Sequence, residues 1–125
     1  MDNNATITID AEQYELIMTM RATREIGKRY GGLEAVADKL QNSGNFEQVI
    51  EEVVWLITML CNQGIMINNL HHPESQRPLL TDEKVELLTT PSDIIDFKDA
   101  IMECMSRGVK RAVENEPDPK NAEAG

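Results

Sequence analysis

The chain has 125 residues, with 22 acidic and 12 basic side chains and a formal net charge of -10. That length suits one domain, and 41% hydrophobic with only 4% aromatic residues demands a modest core of Leu, Ile, Val and Met. The acidic excess repels phosphate backbones, so nucleic acid is not an expected partner.

Thr6-Ile7-Thr8-Ile9-Asp10 alternates polar and apolar residues, the pattern of a half-buried strand. With Tyr14-Glu15-Leu16-Ile17-Met18 it predicts a β-hairpin over residues 6–18, turning through Asp10-Ala11-Glu12-Gln13. No Asn-Gly or Asp-Gly fixes that turn, and a helix from Asp10 is the rival reading, because no breaker occurs before Gly27. A lone hairpin is marginal in water and has to pack on helices.

A helix is expected over residues 20–30, with Ala22, Ile26 and Tyr30 on one face. Gly31-Gly32 stops it, one glycine suiting the left-handed C′ position. A second helix, 33–41, carries Leu33, Val36, Ala37 and Leu40. The loop 42–45 follows, and Asn45 with Gln48 three residues on forms a capping-box pattern.

The central helix is predicted over 46–70, with apolar residues at Phe46, Val49, Ile50, Val53, Ile57 and Leu60. Between Val53 and Cys61 nearly the whole circumference is apolar, so the helix needs cover on several sides. Its apolar part is shorter than a bilayer requires, and Glu51, Glu52, Asn62 and Gln63 bracket or interrupt it, so no membrane span is expected. Glu51-Glu52 reads as a solvated face. After Cys61 the drive weakens at Asn62-Gln63-Gly64. Gly64 costs about 1 kcal/mol against Ala in a helix, and the preferred reading is passage through it at a close contact. Pro73 ends the helix after His71-His72.

Residues 73–80 form a connector. Thr81 caps a short helix, 82–88, with Val85 and Leu88 inward. Thr90-Pro91-Ser92-Asp93 starts the last helix, 91–114, whose stripe is Ile94, Phe97, Ile101, Met105 and Val109, with Ala112 and Val113 beyond. Lys98, Arg107, Lys110 and Arg111 gather toward its C-terminal half. Residues 116–125, with Pro117 and Pro119, read as a flexible tail. The expected fold is therefore mainly α: a small helical bundle around one central helix with an N-terminal β-hairpin, residues 1–115 forming a single domain.

Chemistry is sparse. Cys61 and Cys104 lack CxxC spacing and read as small buried hydrophobes. His71 and His72 are adjacent, which suits two exposed side chains better than a metal site. No nucleophile elbow, P-loop or dinucleotide fingerprint occurs, so no enzyme and no cofactor are expected. The opening MDNNATITID lacks the basic and apolar regions of a signal peptide, and a reducing, cytoplasmic setting is expected. Residues 23–40 could form a helix-turn-helix, but Glu34, Ala35 and Asp38 occupy the reading surface, favouring a corner packed on the central helix.

The order of features points further. Tyr14-Glu15-Leu16 leads into Thr19-Met20-Arg21-Ala22-Thr23-Arg24-Glu25-Ile26. A glycine turn, Leu33-Glu34-Ala35-Val36, the helix beginning FEQVIEEVVWLITMLCNQG and a final amphipathic helix follow. Over residues 6–114 this resembles the tail assembly chaperones of long-tailed phages and prophages of Gram-positive bacteria. The hairpin turn without glycine and the long 73–80 connector depart from that pattern. The resemblance implies a non-enzymatic protein of the host cytoplasm. It would hold the long, hydrophobic tape measure protein until tail tube subunits polymerise, and be absent from the finished particle. The tape measure protein is the implied partner, the tail tube protein a second, and a homo-oligomer a further alternative. A protein–protein adaptor or self-assembling subunit of the same element is the competing function. Lys120-Asn121 could be encoded as a slippery A AAA AAC heptamer for a frameshifted longer form, which the nucleotide sequence decides. Ile65, Met66 and Ile67 at the far end of the central helix lack an evident partner in the chain. With Met102 and Met105 they are the candidate partner-binding residues.

Overall fold

The computed structural model describes residues 4–42 and 44–115, with side chains described for 4–41 and 44–108. The expected tail, the turn residue Ser43, and the side chains of Val109, Lys110, Arg111, Ala112 and Val113 lie outside the described residues. The architecture is mainly α with an N-terminal hairpin: β1 (Ala5–Ile9), β2 (Glu12–Leu16), α1 (Met20–Tyr30), α2 (Leu33–Asn42), α3 (Phe46–His71), α4 (Asp82–Leu88) and α5 (Ile94–Asn115). A 3-10 turn, Pro91–Asp93, precedes α5.

The hairpin turn is tighter than the composition suggested. Ile9 pairs with Glu12, leaving Asp10 and Ala11 as a two-residue loop, with φ of 50° and 67°. Positive φ at both central positions is the conformation of a type I′ turn, whose twist matches the strands. Strand β2 therefore begins two residues before Tyr14. Ala5, Ile7, Ile9 and Leu16 are buried, while Thr6 and Thr8 point to solvent.

Helix α3 is the axis, and it packs against β2, α4, α5, α2 and α1. Val53, Leu56, Ile57 and Leu60 are fully enclosed, as an all-round apolar helix requires. It is long and apolar enough to cross a membrane, and half of its most apolar window is buried inside the chain. Two apolar residues read as inward face out instead: Phe46 is 61% exposed and Leu88 45%. Phe46 is the first residue of α3 and Leu88 the last of α4.

The polar interruption Asn62-Gln63-Gly64 does not loosen α3; each residue makes a tertiary contact. Gly64 faces the backbone of β2, where a Cβ would lie 3.0 Å from the Glu15 carbonyl oxygen. Beside it the Ile17 N–H donates to the Leu60 carbonyl at 3.3 Å. That carbonyl also serves the regular helix ladder. Gln63 is buried, and its Oε1 accepts from the Thr19 hydroxyl at 2.5 Å. Thr19 is the N-cap of α1 and its Oγ1 accepts from the Ala22 N–H. Asn62 forms two bonds with the Leu80 backbone: its amide donates to the carbonyl at 2.9 Å and its Oδ1 accepts the N–H at 2.8 Å. Asn69, two turns on, repeats the arrangement with Arg77 at 3.0 and 2.8 Å. Residues 73–80 are thereby laid along the C-terminal half of α3.

Candidate protein-binding surface

Polar chemistry inside the fold gathers where α1 meets α3. Glu52 is 8% exposed, so the expectation of a solvated Glu51-Glu52 face is corrected for this residue. Its Oε1 accepts from Arg29 Nε at 3.1 Å and from the Tyr30 hydroxyl in a short bond. The Arg29 guanidinium lies 4.5 Å from the Trp55 ring centroid, and Tyr30 meets Trp55 edge-on at 6.1 Å. Burial, with the Glu52 carboxylate beside it, pushes the Tyr30 phenol well above its usual range. One carboxylate thus satisfies two donors. The aromatic and guanidinium groups close around it, a fastening of α1 to α3 rather than an open site. The sequence signal that could have found it is Arg29-Tyr30 at a helix end with Trp55 three residues after Glu52.

Cys61 on α3 and Cys104 on α5 are buried and form no disulfide. Burial, with a smaller contribution from Cys104, pushes the Cys61 thiol up to about 12, so at neutral pH it remains an unreactive thiol. His71 and His72 are exposed at the end of α3, and His72 Nδ1 lies 3.9 Å from Glu74. Among the described residues no group of three His, Cys, Asp or Glu is arranged to hold a metal ion.

The five candidate partner-binding residues divide. Ile65, 2% exposed, and Met105, 4% exposed, belong to the chain's own core. Ile65 sits on the helix stripe between Asn62 and Asn69, the two residues that tie down the connector, so the partner thought missing is supplied within the chain. Met66, Ile67 and Met102 are half-buried, and Met66 Sδ takes a contact from Arg21 Nη1 at 3.7 Å. These five residues do not form one exposed apolar patch.

An open apolar surface lies instead at the other end of α3. A recess of about 170 Å³ is lined by Ile50, Val53 and Val54 of α3, by Thr89, Thr90 and Pro91 before α5, and by Ile94 and Phe97 of α5. Phe46, one helical turn before Ile50, is exposed. Leu87 is 76% and Ile95 70% exposed, next in sequence to the lining residues Glu86 and Ile94. Sequence periodicity assigns Phe46 inward, so this surface is not legible in the sequence. No protein-family model matches the chain, and neither a curated protein nor a solved structure does.

Proposed function

We propose that this protein is a non-enzymatic assembly chaperone that holds apolar helical segments of a phage tape measure protein during tail formation in the host cytoplasm. The observation that carries the reading is the apolar recess between α3 and α5 with exposed Phe46 one turn away. A recess walled by Ile, Val and Phe accepts an aliphatic side chain from a partner's amphipathic helix. The net charge of -10 keeps the remaining surface solvated while that apolar face is occupied or free. The phage assignment rests on the ordered sequence resemblance over residues 6–114.

Co-expression with a tape measure protein is the test. The chain raises the soluble fraction of that protein, and the Phe46→Ser, Ile94→Ser double variant does not, while its circular dichroism stays that of the parent. An unchanged soluble fraction with the parent chain, or recovery of the chain as a polymer or in finished particles, overturns the chaperone reading in favour of a structural subunit. Sequence-specific DNA binding at physiological salt favours the regulator reading instead.

A further inference from the structure

Both strands of the hairpin pack on a helix, β2 on α3 and β1 on α5, and the backbone bond that ties the hairpin to a helix falls on the β2 side. The two-residue loop makes Ile9 and Glu12 a hydrogen-bonded pair, so the ladder alternates from there. Thr8 and Thr6 fall at the non-hydrogen-bonded positions, where backbone N–H and C=O point away from β2. On β2 the equivalent outward groups belong to Gln13 and Glu15. That edge meets α3 at its C-terminal end, through the contact of Gly64 with the Glu15 carbonyl and, just beyond the strand, the bond from Ile17 to Leu60. Among the described residues no other strand or loop backbone pairs with the outer edge of β1.

That edge opens into a groove of about 450 Å³ separate from the apolar recess. Thr6 and Thr8 form one wall, and Asp93, Asp96, Asp99 and Glu103 stand on the other. Glu103 pairs with Arg107 at 2.6 Å, and Asp93 accepts the Thr90 N–H at 2.9 Å. Asp96 and Asp99 are exposed and make no ion pair among the described residues. The rise from Asp96 to Asp99 is about 4.5 Å and from Asp99 to Glu103 about 6 Å on a helix. Alternate side chains of an extended strand recur every ~6.7 Å.

The geometry points to a second binding site of a different kind: the outer edge of β1 accepts an extended segment of another protein as a third strand, with Lys or Arg at alternate positions facing the carboxylates of α5. Backbone pairing to Thr6 and Thr8 supplies affinity, and the row of negative charge selects a basic segment. A second copy of this chain is disfavoured, because pairing two β1 edges brings two rows of carboxylates together. The site stands on the hairpin register and on α5, and is independent of the chaperone reading.

The probe is a capped peptide of about seven residues, a common strand length, with Lys and Val alternating. Binding to the isotope-labelled full chain shifts the Thr6 and Thr8 amide resonances and slows their hydrogen exchange. The Asp96→Asn, Asp99→Asn double variant weakens binding about tenfold, two lost cross-strand charge pairs at the upper part of their range. A peptide N-methylated on its pairing edge, or one with Glu in place of Lys, does not bind. Absence of binding at millimolar peptide overturns the proposal, as does equal binding of the N-methylated peptide or a response confined to the recess around Ile94. Dimerisation of the free chain through β1, seen by sedimentation with the same amides protected, replaces the basic segment with a second copy.

Discussion

Gly64 of α3 stands against the Glu15 carbonyl of β2 so closely that a Cβ would come within 3.0 Å of the oxygen. The neighbour is backbone, held in place by the Ile17–Leu60 bond, so it yields little. Alanine would gain about 1 kcal/mol of helix propensity and lose about 1–3 kcal/mol to overpacking. Gly64→Ala therefore destabilises the protein by about 1 kcal/mol in urea unfolding. Gly27, in exposed helix α1 with nothing within 4 Å of its absent Cβ, is the control. Gly27→Ala stabilises by about 0.5–1 kcal/mol. Equal effects of the two substitutions would remove the close-approach explanation for Gly64.

The turn at Asp10-Ala11 carries a cost the sequence hides. Ala11 has φ of 67°, a region that costs an L-residue about 1–2 kcal/mol. Ala11→Gly relieves it and raises stability by about 0.5–1 kcal/mol after the extra entropy of the unfolded glycine is counted. Unchanged or lower stability in thermal unfolding would show that the loop does not hold this conformation.

Glu52 fastens α1 to α3 through Arg29 and Tyr30. Glu52→Ala leaves a half-buried phenol and guanidinium unpaired and costs about 2–3 kcal/mol. Tyr30→Phe costs about 1–2 kcal/mol. A double-mutant cycle between the two gives a coupling above about 0.5 kcal/mol. The single Trp, stacked by Arg29, reports the loss as a change in Trp55 fluorescence. Additive effects would mean the three groups do not act as a unit.

Alkaline pH weakens the fold in a defined way. The folded Cys61 thiol titrates at about 12 against a reference of 9.0. A folded-state value raised above the unfolded one contributes stability that is whole below the unfolded value and drains as pH rises toward the folded one. Between pH 9 and pH 12 the unfolded chain loses the Cys61 proton while the folded chain keeps it. By pH 10 this removes about 1 kcal/mol. The Tyr30 phenol, also raised, adds a loss of the same sign from its ordinary value upward. Urea midpoints fall from pH 8 to pH 10 in the parent, and fall less steeply in Cys61→Ala. Equal slopes would show that the thiol is not the group responsible.

Elements whose apolar residues repeat regularly are legible in the sequence. Val53, Leu56, Ile57 and Leu60 announce a covered helix, and Thr90-Pro91-Ser92-Asp93 announces the start of another, with a tight 3-10 turn where a regular first turn was expected. What periodicity missed is polar and tertiary. Asn62 and Asn69 look like loose helix surface, yet two turns apart they grip Leu80 and Arg77. Nothing local indicates which connector will return to them. Glu52 reads as solvated because its partners lie on another helix, and Ile65 reads as unpartnered although it is buried in the chain's own core. Ile65→Ser accordingly destabilises by about 2–4 kcal/mol, while Met66→Ser, at a half-buried position, costs under about 1.5 kcal/mol.

The covered edge of β2 also sets how far strand addition can go. A fibril grows only when each unit offers two edges, one to receive the last strand and one to present to the next. Here Gly64 and Leu60 hold α3 against one of the two at Glu15 and Ile17. The missing side chain at Gly64 thus lets a domain with an exposed β-strand remain a finite object.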